Sequence, residues 1–283
     1  MKRNRRILTI FLICAMMLAA CGSTEPAVIT QGTKRNPASK TTAVPTVVPT
    51  DVPTVVPTLT PTPTPTEVPF TPYQVDAARF NYTSEEVIAY YCEVGLNSEY
   101  NNSPKDFVRK WTSPILVVLE GIPDDDDIAL MERLFLYLNS IEGFPGIAFA
   151  SENEIGNFII RILPYDSYQK YALPHVNGDA TDGYSTIWHS SGRITQCEIG
   201  IQADLERSNK NHVILEEIVQ SLGLQNDSYW YSESLFYQAF NTPQWLWDLD
   251  CLLVEFLYCP ALKPGDSKED VLRIGSEVIH GAE

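Results

Sequence analysis

The 283-residue sequence predicts an α+β fold, a mixed sheet backing one central charged helix, behind a short apolar leader and a long proline- and threonine-rich spacer. Three observations carry this. Large apolar residues concentrate between Tyr73 and Glu283. Within that stretch, apolar runs of strand length alternate with amphipathic segments of helix length. The helical segment at about 211–222 then carries adjacent carboxylates on an otherwise apolar pattern.

At the N-terminus, Lys2, Arg3, Arg5 and Arg6 precede the apolar run 7–20, with no acidic residue before Glu25. This is the pattern of a secretory signal peptide. The run is about fourteen residues, too short to cross roughly 30 Å of hydrocarbon as a helix. It ends in Leu18-Ala19-Ala20-Cys21, which resembles the lipobox of bacterial lipoproteins. The resemblance implies cleavage after residue 20, diacylglycerol and further acyl chains on Cys21, and a lipid-anchored protein in the extracytoplasmic cell envelope. That places it on the outer face of the cytoplasmic membrane, or on the outer membrane of a two-membrane cell. Residues 1–20 are thus the expected signal and 21–72 the expected tether.

The tether has almost no large apolar residue outside repeats such as Val47-Val48-Pro49-Thr50, so it cannot build a core. Proline fixes φ and removes amide donors, and the run Thr60-Pro61-Thr62-Pro63-Thr64-Pro65 predicts extended or disordered chain.

Residues 73–283 have the size of one domain. The chain holds 20 basic and 36 acidic residues; the signal contains four of the basic ones and the tether three of each sign, which leaves 13 basic against 33 acidic in the domain. Such a surface keeps the domain soluble and repels nucleic acid and anionic lipid, so a partner is expected to be neutral or cationic, and a peptide or an envelope polymer or protein is the candidate. Of the six cysteines, Cys14 lies in the signal and Cys21 is the lipid site. Cys251 and Cys259 read as one helix, about 12 Å apart in rise, beyond bridging distance. Any disulfide must use Cys92 or Cys197, and four free thiols are the alternative.

Along the domain, Thr83 and Glu86 form a capping-box signature ahead of Val87, Ile88, Tyr91 and Val94, which predicts a helix. A strand follows at 114–119, ended by Gly121. The acidic run 124–127 lacks the spaced ligands of a calcium loop and reads as a helix start, favoured by the macrodipole. Further strands are expected at 146–150, 157–163 and 194–203, then a helix at 211–222. Trp230, Trp245 and Trp247 are expected in the core, and His212 is expected to be partly exposed in the first turn of its helix.

The charged helix reads Leu215-Glu216-Glu217-Ile218-Val219-Gln220-Ser221-Leu222-Gly223-Leu224-Gln225-Asn226-Asp227. It resembles the zincin motif H-E-x-x-H-x-x-G-x-x-H, in which two histidines at i and i+4 and a third after a glycine turn bind one zinc. Here Glu216, Gln220 and Asn226 stand at the ligand positions, Glu217 at that of the general base and Gly223 at the turn. Phe236, in Ser234-Leu235-Phe236-Tyr237, stands where metzincins have their turn methionine. Together with Lys110-Trp111, Leu119-Glu120-Gly121 and Leu262-Lys263-Pro264-Gly265, these residues resemble the bacterial family named domain of unknown function 2927, which implies a zincin-like fold without an established activity.

The donor set decides what is expected of the site. Zinc favours imidazole and thiolate, and an oxygen set with one formal charge binds it poorly. Without zinc, Glu217 has no activated water to deprotonate. The expectation is a non-catalytic binding module with no metal or other cofactor apart from the lipid, holding an extended partner along an edge strand at 197–201. A carboxylate-based or metal-dependent hydrolase using Glu216 and Glu217 is the competing reading.

Overall fold

The structure is a computed structural model that describes residues 73–97, 106–172, 181–239 and 241–283, all within the compact unit Thr66–Glu283. The expected signal, Cys21 and the tether lie outside the described residues, as does His175. In chain order the elements are β1 (Val75–Asp76), α1 (Ser84–Leu96), β2 (Lys110–Trp111), β3 (Ile115–Gly121), α2 (Asp125–Asn139), β4 (Ile147–Phe149), β5 (Phe158–Leu163), α3 (Tyr165–Ala172), β6 (Gly183–Ser190), β7 (Arg193–Gln202), α4 (Arg207–Gln220), α5 (Asp248–Tyr258), α6 (Lys268–Val278) and β8 (Ile279–His280). The fold is α+β, a largely parallel sheet flanked by helices.

The sheet runs β4–β3–β5–β7, all parallel, with β2 also parallel to the start of β7. One strand breaks the direction: β6 pairs antiparallel with β7, from Gly183 opposite Ile201 to Ser190 opposite Arg193. The reversal follows from the turn. Ser191 and Gly192 have φ of 48° and 79°, the left-handed pair of a two-residue hairpin whose twist matches the strands.

This corrects one expectation. Residues 197–201 are not at an edge, because β7 lies between β5 and β6. Beyond β7 the edge strand is β6, and β4 forms the opposite edge.

Alternation along the strands divides the sheet into two faces. Phe158, Ile160 and Ile162 of β5, with Cys197, Ile199 and Ile201 of β7, are buried in the main core. Cys197 Sγ lies 3.1 Å from Ser221 Oγ, so this is the face covered by α4. On the opposite face Arg161 reaches Glu198 at 2.7 Å and Glu120 at 2.8 Å, and Gly200 lies against the rings of Tyr168 and Tyr171 of α3. One face of the sheet is thus fully buried, and the other is half-covered by α3.

Local signals place the helices. Thr83 caps α1 in a capping box with Glu86, and Asp124 caps α2 in one with Asp127. α1 packs beside α5 and α6, where Gly275 leaves room for Ile88 and Phe256. All four cysteines Cys92, Cys197, Cys251 and Cys259 are free thiols. Among the described residues no helix is long and apolar enough to cross a membrane.

Candidate functional site

The helix α4 starts at Arg207, four residues before its expected start, because Glu206 caps it through Ser208 and because two cations of its first turn are held from outside. Arg207 and Lys210 both reach the carboxylates of Asp124 and Asp127 at the start of α2; Lys210 Nζ is 2.6 Å from Asp127 Oδ2, and Asp127 is fully buried. The acidic run therefore caps one helix and clamps another. Burial opposes ionisation of Asp124, but the Asp127 amide, Arg207 and Lys210 together hold its carboxyl down at about 2.

The other end of α4 is fixed by two side-chain donors. Trp111 Nε1 donates to the Ser221 carbonyl at 3.0 Å and Tyr258 Oη to the Leu222 carbonyl at 3.2 Å. Both carbonyls lie just past the last helical residue, Gln220, where the helix supplies no further donor. Gly223 then turns the chain at φ 129°, directly over the Arg109 carbonyl, where a Cβ would collide. Arg109, fully buried, spans the next turn, donating to Gln225 Oε1 at 2.8 Å and to the carbonyls of Gly95 and Asn97 at 3.2 and 2.5 Å. Burial pulls its guanidinium down to about 10.

The motif positions do not converge on one point. Gln220 Nε2 donates to Asp227 Oδ1 at 2.8 Å. Asn226 is turned toward α1, its Nδ2 donating to the Glu93 carbonyl at 3.1 Å and to the Asp227 carbonyl at 2.7 Å, while its amide reaches the Val94 carbonyl. Glu216 faces back along the helix, Oε2 lying 3.4 Å from His212 Nε2.

Glu217 goes elsewhere. It is buried against β6, where a Cβ on Gly183 would collide with Glu217 and Val213. Its charge is felt by Tyr168, whose hydroxyl burial pushes up to about 12 with Glu217 adding to the rise, and by Tyr184 and Cys197. Adjacent in sequence, Glu216 and Glu217 thus lie against different neighbours, His212 and Gly183.

His212 is buried rather than partly exposed, because α4 begins earlier and carries it into the second turn. Its imidazole is pushed down to about 4 by burial, so it is neutral at pH 7 and its contact with Glu216 is not an ion pair.

Zinc does not fit this donor set. Gln220 and Asn226 could offer only neutral amide oxygens, and neither brings charge or imidazole. Among the described residues no three His, Cys, Asp or Glu side chains gather to hold a metal ion.

Below the motif, Ser234-Leu235-Phe236 is pinned by a buried carboxylate. Asp250 accepts from Ser234 Oγ at 2.6 Å and from the amides of Leu235 and Trp247 at 3.0 Å, and Tyr90 Oη donates to Ser234 Oγ at 2.8 Å. Burial raises the Asp250 carboxyl to about 6 in spite of those donors. Phe236 is fully buried.

Sequence reasoning missed β6, although the Ser191-Gly192 turn between two alternating runs is a hairpin signal. It missed α3 and α6 as well. The latter carried a legible Ser267…Asp270 capping box. Trp245 and Trp247 pack against the core as expected, but Trp230 is 55% exposed, because the loop after the motif leaves only one side of its ring covered.

No curated protein and no solved structure matches the chain. A family model described as "Protein of unknown function (DUF2927)" matches residues 84–275, which span α1 through most of α6 and include every motif position. The chain belongs to that family.

Proposed function

We propose that this chain is a lipid-anchored extracytoplasmic protein whose zincin-like domain binds an extended partner without cleaving it. The observation that carries the non-catalytic reading is the commitment of Gln220 to Asp227 and of Asn226 to the backbone of α1. Side chains placed as ligands in the zincin motif serve here as internal struts. The mixed sheet behind α4 and the antiparallel strand at its margin support the zincin-like reading. Glu217, packed under Gly183, braces that strand against the helix.

The binding edge is β6. Among the described residues β6 pairs with β7 alone, so an extended partner would add as the next strand beside it. Membrane attachment rests on Leu18-Ala19-Ala20-Cys21.

The test is metal content and amide exchange on the purified protein. It should carry less than about one-tenth equivalent of zinc and melt at the same temperature with and without chelator, since a metal bound only to the native state would raise stability by mass action. Reduced, alkylated ribonuclease, an unfolded probe chain, should slow amide exchange in β6. Stoichiometric zinc together with a hydrolytic activity abolished by Glu217→Gln would overturn the reading.

A further inference from the structure

The loop that follows the motif builds a continuous run of aromatic rings. Trp230 stacks over Tyr90 at 6.1 Å, Tyr90 meets Tyr231 edge-on at 4.8 Å, Tyr231 lies 5.6 Å from Trp247, and Trp247 meets Tyr82 at 5.8 Å. Tyr90 is buried beneath the run, while Tyr82, Tyr231 and Trp247 are half-buried and Trp230 is exposed. The run thus presents ring surface to solvent over three segments of chain.

The strip is also acidic. The Tyr82 hydroxyl is pushed up to about 12, first by burial and then by the fields of Asp248, Glu233 and Glu86 among its neighbours. All three carboxylate residues are exposed. The two stretches that build the strip lack basic residues: there is no Lys or Arg between Arg79 and Lys105, or between Lys210 and Lys263.

Elsewhere the chain supplies its own cations to its rings. Arg133 sits 3.8 Å over Trp245, Arg79 4.6 Å over Phe80 and Lys110 5.2 Å over Tyr258. Among the described residues no cation covers a ring of the strip. Open ring faces bordered by carboxylates attract guanidinium and ammonium groups twice over, through the ring quadrupole and through charge.

We infer that the strip Tyr82–Trp247–Tyr231–Trp230, bordered by Glu86, Glu233 and Asp248, docks an arginine- or lysine-bearing segment of a partner polypeptide. The inference rests on the binding-module reading. It uses no residue of β6, so strand addition and this surface can fail separately.

The full-length chain in neutral detergent, titrated calorimetrically with a deca-arginine peptide, tests it. Trp230→Ala should weaken binding about fivefold and Glu233→Ala about threefold, with Trp230→Tyr restoring most of the loss. Glu152→Ala, which removes an exposed carboxylate outside the strip, should leave the affinity unchanged. Equal weakening by Glu152→Ala and Glu233→Ala, with none from Trp230→Ala, would show diffuse attraction to net charge and overturn the proposal. Binding of neutral chitohexaose through Trp230, with no peptide binding, would overturn it in favour of a sugar platform. Failure to bind deca-arginine at low salt overturns it as well.

Discussion

Lys210 Nζ lies 2.6 Å from Asp127 Oδ2, and both residues are almost wholly removed from solvent. This pair, with Arg207 and Asp124 at its rim, ties the first turn of the motif helix to the first turn of α2. Asp127→Ala should therefore leave a buried ammonium without its main counter-charge and cost about 3–5 kcal/mol, read as a lowered midpoint in urea unfolding. Replacing Asp124, which is far more exposed, should cost less. Equal losses from the two variants would show that Asp127 carries no special part of the clamp.

Gly223 is required by two separate constraints, its φ of 129° and the Arg109 carbonyl beneath it. Gly223→Ala should destabilise the domain by at least about 2 kcal/mol. A variant as stable as the parent would mean that the turn after α4 can relax, and that Arg109 does not hold it.

His212 and Asp250 make the stability of the domain depend on pH with opposite signs. The His212 imidazole, at about 4 when folded and near 6.5 when unfolded, contributes stability that is present above roughly pH 6.5 and lost as pH falls toward 4. The Asp250 carboxyl, at about 6 when folded and near 3.9 when unfolded, contributes stability that is present below roughly pH 4 and lost as pH rises through 6. Between pH 4 and 6 the two slopes offset each other. On acidification across that window, His212→Gln should gain ~2 kcal/mol relative to the parent and Asp250→Asn should lose a similar amount. Chemical denaturation at pH 4, 5 and 6 reads both, and parallel profiles for parent and variants would contradict the assignment.

Cys21→Ser should yield protein that no longer partitions with detergent-extracted membranes and migrates as an uncleaved or unlipidated species. The motivating feature is Leu18-Ala19-Ala20-Cys21 at the end of the apolar leader. Unchanged partition and mobility would remove lipidation from the account.

Much of the fold was legible because the signals that specify it are short in range. The boxes Thr83…Glu86 and Asp124…Asp127 close within three residues, so the starts of α1 and α2 can be read from the letters alone. The strands β3 and β5 likewise announce themselves as β-branched apolar runs, and β7 by the alternation of Cys197, Ile199 and Ile201 with Glu198 and Gly200.

Tertiary structure decided the rest. Whether 193–202 lies inside the sheet or at its margin depends on β6, and β6 depends on a Ser-Gly turn whose backbone must be left-handed at both residues. Trp230 and Trp247 are the same residue type on neighbouring stretches, yet only the loop geometry leaves Trp230 in solvent.

The motif shows the division most clearly. The sequence alone determined that positions 216, 220 and 226 hold one carboxylate and two amides, a donor set that suits zinc poorly. Only the folded chain decided what those groups do instead. Gln220 and Asp227 meet because Gly223 reverses the chain, Asn226 reaches α1 across 133 residues of sequence, and Glu217 packs under an edge strand that a single residue's spacing cannot reveal. Hydrogen-bond partners of buried polar groups are set by long-range packing, and local sequence carries no record of it.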